Sequence, residues 1–149
     1  MWKLYSKDKW KGMHALSWSD IDALVEDLAD KIKQTGIEFD KIATVSRGGL
    51  VPARLVADRF NIKKILVDKP KIPSKTLFVD DIYDSGYTFK KVFPNVVKPS
   101  DFIYATLVAR KGIRYPKQLI YSTKTRGQEY VVFPWDKLEF YRTKKSTKE

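Results

Sequence analysis

The chain has 149 residues and a formal net charge of +11, from 29 Lys and Arg against 18 Asp and Glu, a length that suits one domain around one core. Its hydrophobic fraction of 43% is ordinary for a globular protein, and it has no uninterrupted apolar run of membrane-spanning length. The absence of cysteine excludes disulfides, thiolate metal sites and cysteine nucleophiles, and fits a cytoplasmic protein.

The first residues, Met1 to Lys7, carry no apolar signal core, so no leader is expected. Lys3, Lys7, Lys9 and Lys11 gather near one end, with Trp2, Tyr5 and Trp10 among them. His14, the single histidine, leaves no cluster to bind zinc and reads as a surface or structural residue. Ser17-Trp18-Ser19-Asp20 has the form of a capping box. Ile21, Leu24, Val25, Leu28 and Ile32 then recur at helical spacing, and Gly36 is a suitable stop.

Residues 41–45 read as a short strand, Ser46-Arg47-Gly48-Gly49 as a sharp turn, and residues 50–60 as a helix with Pro52 in its first turn. Residues 64–67 form a further strand, and residues 68–75 a connection holding Pro70 and Pro73. Residues 76–79 read as an apolar strand and 88–93 as a brief helix. Residues 102–109 are rich in β-formers, and 119–122 and 130–133 are shorter strand candidates. Alternating strands and helices imply a single α/β domain with a mainly parallel, twisted sheet flanked by helices. Residues 16–110 make its core, 111–142 a small C-terminal hood, and 143–149 a basic tail without structure.

Two turns stand at the carboxyl ends of strands, where such sheets bind ligands. In Val79-Asp80-Asp81-Ile82-Tyr83-Asp84-Ser85-Gly86-Tyr87-Thr88, an apolar strand runs into paired carboxylates and then into small and hydroxyl residues before a helix. Backbone N–H groups there favour an anion, while the acids suit sugar hydroxyls or Mg²⁺. Read alone, the same residues are also ordinary turn formers. Ser46 to Gly49 permits close backbone approach to a second anion, with Arg47 adding charge, but it matches neither a Walker A loop nor a dinucleotide fingerprint. Two anion cradles at neighbouring strand ends suggest a ligand with phosphates at both ends.

These motifs resemble the type I phosphoribosyltransferases, in the xanthine–guanine and hypoxanthine–guanine branch. The stretch from Val79 to Thr88 is similar to that family's signature for 5-phosphoribosyl-1-pyrophosphate (PRPP). Ile42 to Pro52 is similar to its pyrophosphate loop, and Tyr130-Val131-Val132-Phe133-Pro134-Trp135-Asp136 to its base-binding hood. The likeness runs from about Leu16 to Arg142. It implies a Mg²⁺-dependent purine phosphoribosyltransferase that makes a nucleoside monophosphate from xanthine, guanine or hypoxanthine, releases pyrophosphate, and serves purine salvage. By the resemblance, Asp80 and Asp81 attend the ribose hydroxyls and the metal, and Asp84 faces purine N7 as the proton-handling group. Ser85, Gly86, Tyr87 and Thr88, following Asp84, hold the 5′-phosphate. Ser46, Arg47, Gly48 and Arg142 bind pyrophosphate. Tyr130 stacks on the base, and Val131 and Asp136 lie near its 2-position or a metal. Related enzymes are commonly dimers or tetramers, so a homo-oligomer is expected and no membrane association.

The sequence departs from the family twice. Arg110, followed by Lys111, stands where a lysine reads the purine O6, and the two side chains differ in geometry. The connection 68–75 is short where the family has a mobile closing loop, so a cover over the site must come from elsewhere, such as the N-terminal aromatic segment or a partner subunit. That shortness and the positive charge motivate an alternative: a non-catalytic nucleotide-sensing or RNA-binding protein on the same fold. No recognition motif supports nucleic acid binding.

Overall fold

The computed structural model describes residues 12–148, with side chains as far as Arg142. The aromatic segment holding Trp2, Tyr5 and Trp10 lies outside the described residues.

Helix α1 (Trp18–Lys33) begins where the sequence places it. The Asp20 N–H donates to Ser17 Oγ at 3.1 Å, and the Ser17 N–H donates to Asp20 Oδ2 at 2.8 Å. This reciprocal cap satisfies two otherwise orphaned donors of the first turn. Ile21, Val25, Leu28 and Ile32 form its buried stripe. Each large apolar side chain so buried stabilises the fold by about 1.5–3 kcal/mol.

Strand β1 (Met13–Ala15) precedes α1, and β2 (Lys41–Thr44), α2 (Leu50–Phe60), β3 (Lys64–Val67) and β4 (Thr76–Tyr83) follow it. Next come α3 (Tyr87–Val92), β5 (Ile103–Ala109), β6 (Leu119–Lys124), β7 (Tyr130–Val132) and α4 (Lys137–Lys148). The main sheet has five parallel strands in the order β3-β2-β4-β5-β6. A two-stranded parallel ladder joins β1 to β7, and through it the hood is tied to the start of α1. Strand β1 was not expected: three residues carry too little alternation to read as a strand, and only the pairing with β7 creates it. The tail expected from Thr143 to lack structure is instead taken up by α4 as far as Lys148.

Each face of the sheet has its own core. Leu77, Val79, Ile42, Ala105 and Leu107 pack under α1 and α2. Phe78, Tyr104, Ala43, Phe89 and Phe102 pack on the side of α3. The period-two alternation of β4 slips at the paired acids, since Val79 and Ile82 both pack towards the first core. Asp80 pairs with Thr106 and Ile82 with Val108. At the slip, the Asp81 N–H donates to Asp80 Oδ1 at 2.8 Å and the Ile82 N–H to Asp81 Oδ1 at 2.7 Å. The carboxylates thus bond strand amides, and β4 runs four residues beyond the expected end at Val79.

The connection 68–75 is anchored. Ile72 is buried and bridges to Val96, with N–H···O bonds of 3.1 Å to Asn95 and 3.0 Å from Val97. Asp68 accepts from the Ser46 N–H at 2.9 Å and from the Ser46 hydroxyl. No helix among the described residues is long and apolar enough to cross a membrane.

Candidate active site

The ends of β2 and β4 bring the two conspicuous turns to one cleft. A cavity of about 320 Å³ is lined by Val45, Ser46 and Gly48 on one side and by residues 80–89 on the other, with Tyr104 at its base. A second chamber of about 230 Å³ lies between Arg47, Gly48, Tyr130, Asp136, Glu139 and Phe140. A third, of about 120 Å³, is bounded by Asp81, Ile82, Asp84, Arg110, Tyr130, Val131, Phe133 and Asp136. The first chamber shares Gly48 with the second and Asp81, Ile82 and Asp84 with the third, and the second and third share Tyr130 and Asp136, so they adjoin as one branched cleft.

Glycine is required where the turns approach. A Cβ on Gly49 would fall against Thr44 Oγ1, 2.9 Å from the Val45 carbonyl oxygen and 3.2 Å from that of Val79. A Cβ on Gly48 would sit 2.5 Å from Asp81 Oδ2. The Ser46–Arg47 peptide is cis.

The acids are unequal. Asp80 is buried at 5% exposure, and the Tyr104 hydroxyl donates to its Oδ2 at 3.0 Å. Burial pushes its carboxyl above the usual range. Burial and the adjacent Asp80 charge push Asp81 well above that range. Asp136 is half-buried, and burial first, then the charges of Asp81 and Glu139, raise it to about 6 against the opposing pull of Arg47. Asp84 lies at the other side of the cleft, ion-paired at 2.9 Å to the buried Arg110.

No protein-family model matches the sequence. The xanthine-guanine phosphoribosyltransferase of Chromohalobacter salexigens is 27% identical over 151 residues, covering 88% of this chain and 88% of its own. The purine phosphoribosyltransferase of Pyrococcus horikoshii superposes with a TM-score of 0.69 at 25% identity, covering 84% of this chain and 94% of its own. The xanthine-guanine-hypoxanthine phosphoribosyltransferase of Helicobacter pylori gives 0.71 at 19%, over 88% and 99%. The fold is that of the type I phosphoribosyltransferases. The resemblance read in the three motifs is thus matched by relatives named for the same xanthine–guanine branch.

Within this fold, most of the expected site residues come together. Asp80, Asp81, Asp84, Ser85, Gly86, Tyr87 and Thr88 all line the first chamber with Ser46 and Gly48, and Arg47, Tyr130 and Asp136 line the second. Arg110, Tyr130, Val131 and Asp136 bound the third. Two residues stand apart. Lys111 is exposed, its N–H bonded to Thr125 Oγ1, and Arg142 is exposed on α4; neither lines these chambers. The family resemblance implies Arg142 at the pyrophosphate, whereas here it lies on α4, more than one turn beyond Asp136. Asp80, Asp81 and Asp136 were also expected around a metal. Among the described residues, no group of three or more His, Asp or Glu is arranged to hold one.

Sequence reasoning missed Tyr104, Glu139 and Phe140. Tyr104 lies 24 residues from Asp80, inside an apolar strand, and carries no local signal. Glu139 ion-pairs with Arg47 at 3.0 Å, and the Phe140 ring stacks on Tyr130 with centroids 5.5 Å apart. Their signal is proximity: Glu139 and Phe140 stand three and four residues beyond Asp136, at the end of the Pro134-Trp135-Asp136 turn. Glu139 of α4 thus reaches Arg47 of the Ser46–Gly49 turn, while the anchored 68–75 connection borders the same turn through the bonds of Ser46 to Asp68.

Proposed function

We propose that the chain transfers the 5-phosphoribosyl group of PRPP to N9 of a 6-oxopurine and releases pyrophosphate, returning free base to the nucleotide pool. The observation that carries this reading is the branched cleft, in which the acidic end of β4, the Ser46–Gly49 turn and the Tyr130–Asp136 wall face one another. A phosphorylated pentose lies, in this reading, between the two turns, with Ser46 exchanging its Asp68 partner for phosphate and the base directed to Tyr130.

In this reading the N9 lone pair forms a bond to ribose C1, the C1–O bond breaks, and the electron pair leaves with pyrophosphate. Asp84, held as one half of an ion pair, accepts the proton released from the imidazole ring of the purine. Ser85, Gly86, Tyr87 and Thr88 fix the 5′-phosphate, and Ser46, Arg47 and Gly48 the pyrophosphate. Holding both ends places C1 against N9 and lowers the entropic part of the barrier. Arg47 must exchange Glu139 for the incoming phosphates. Tyr130 and Val131 supply the wall for the base, with Asp136 at its edge.

Mg²⁺ fits this site as a companion of the substrate. Asp80 and Asp81 are hard oxygen donors whose crowded charges a divalent cation would relieve, and Mg²⁺ is commonly held by one or two carboxylates with substrate phosphates. Asp136 borders the same cleft but is not grouped with the two to hold the ion. Bound there, the ion would supply charge neutralisation on the leaving pyrophosphate.

The test is product formation from PRPP, Mg²⁺ and xanthine, guanine or hypoxanthine, read by chromatography. A nucleoside monophosphate from at least one base is expected, and Asp84→Asn should lower kcat by about 10²–10⁴-fold. No product with any of the three bases would end this reading in favour of a non-catalytic nucleotide-binding role.

A further inference from the structure

The residue that departs from the family pattern, Arg110, is built into the site in a specific way. It directly follows β5 and is only 4% exposed. Its backbone is fixed on both sides: the N–H donates to the Tyr83 carbonyl at 2.7 Å, and the carbonyl accepts from the Tyr115 hydroxyl at 2.6 Å. Its guanidinium then makes a bridge. Nε donates to Asp84 Oδ1 at 2.9 Å, while Nη1 donates to the carbonyls of Glu129 at 2.7 Å and Gly127 at 3.2 Å.

The turn at the far end of this bridge is itself tied down. The Glu129 carboxylate accepts from the N–H groups of Arg126 and Gly127 at 2.8 Å each. Thr125 donates its N–H to the Ala109 carbonyl at 2.9 Å and its hydroxyl to Gly127 at 3.0 Å. The turn leads without a break into Tyr130 and Val131 of β7. One guanidinium therefore spans from the end of β4 to the turn that carries the Tyr130 wall. A planar fork can serve a carboxylate and two carbonyls together, whereas an ammonium is a single point of charge.

We propose that Arg110 is a positioning residue: it fixes the Asp84 carboxylate against the turn 127–129, so that Asp84 faces a base held on Tyr130. This inference rests on the proposed function, in which Asp84 manages the purine proton. It assigns Arg110 a role through Asp84 in place of direct reading of the purine 6-position.

The experiment is a kinetic double-mutant cycle in the full chain with PRPP, Mg²⁺ and each 6-oxopurine, using Arg110→Met, Arg110→Lys, Asp84→Asn and the two double variants. A positioned proton acceptor is worth about 10²–10⁴-fold, so Arg110→Met should lower kcat by at least about tenfold with base KM within about threefold. Arg110→Lys, which keeps the charge, should recover part of that loss. In the Asp84→Asn background either Arg110 substitution should cost less than about twofold more, because groups acting as a unit are not additive. A base KM raised tenfold or more at unchanged kcat, or an Arg110 effect undiminished in the Asp84→Asn background, would show direct base contact and overturn the inference. If Arg110→Met does not fold, the Arg110→Lys cycle decides between the same two patterns. An inactive wild-type chain would remove the proposed function and this role together, while an active wild type with the direct-contact pattern removes this role alone.

Discussion

Alanine at Gly48 and at Gly49 should have opposite consequences, although the two glycines are neighbours. The Cβ of Gly49→Ala would overlap Thr44 Oγ1 and approach the carbonyl oxygens of Val45 and Val79 at 2.9 and 3.2 Å. The Thr44 hydroxyl is committed to Val79, donating to its carbonyl at 2.6 Å, and both carbonyls belong to backbone, that of Val79 fully buried. Relief therefore requires β2 and β4 to separate. Overpacking of this kind costs about 1–3 kcal/mol, which for a chain of this size lowers Tm by roughly 2–12 °C. The Cβ of Gly48→Ala meets only the Asp81 carboxylate, 2.5 Å from Oδ2 and 3.0 Å from Cγ. That side chain can rotate at the loss of one hydrogen bond, from the Ile82 N–H, worth about 0.5–1.5 kcal/mol. Gly48→Ala should keep most of the stability but displace Asp81 from its place in the cleft, where the proposed function sets the ribose. A misplacement of about 1 Å can cost about 10²-fold in rate. Differential scanning calorimetry with steady-state assays on both variants checks this. Equal losses of Tm in the two variants, or full activity in Gly48→Ala, would refute the assignment of Gly48 to the site and Gly49 to the fold.

Three further outcomes follow from the same geometry. The Arg47–Glu139 pair is exposed, 76% and 61%, and such pairs contribute about 0–1 kcal/mol. Glu139→Gln should therefore lower the KM for PRPP by up to about fivefold at low salt, with the gain shrinking as salt screens it; a raised KM would count against competition for Arg47. Asp136 has its carboxyl raised to about 6, above its ordinary value, so the folded chain holds that proton more tightly than the unfolded chain. Stability from this group is present at low pH and is lost as pH rises from about 4 to about 6. Asp136→Asn should raise Tm above that window and leave it unchanged below, and thermal melts across the range that show no such crossover would contradict the burial of Asp136 and its crowding by Asp81 and Glu139. Ser17→Ala removes one bond of the α1 capping box at a cost of about 1 kcal/mol, seen as a Tm lower by roughly 2–4 °C with activity retained.

Local chemistry explains what could be read without coordinates. The capping box at Ser17, helix α2 over Leu50–Phe60 and strand β3 over Lys64–Val67 follow from caps, periodicity and β-branched runs that act within a few residues. The two strand-end turns could be placed on one face because parallel connections put successive carboxyl ends on the same edge. The hood motif was legible as a segment, yet its pairing with β1 was not, since a three-residue strand is created by its partner.

The α/β order and the two strand-end turns rest on backbone preferences of adjacent residues, and their common edge on the parallel connections between strands. Only the tertiary structure decided which side chains meet across the cleft: Arg110 with Asp84, Tyr104 with Asp80, and Glu139 with Arg47, separated by 26, 24 and 92 positions. Such contacts depend on how strands stack and where a helix returns over the sheet, and no short-range propensity encodes them.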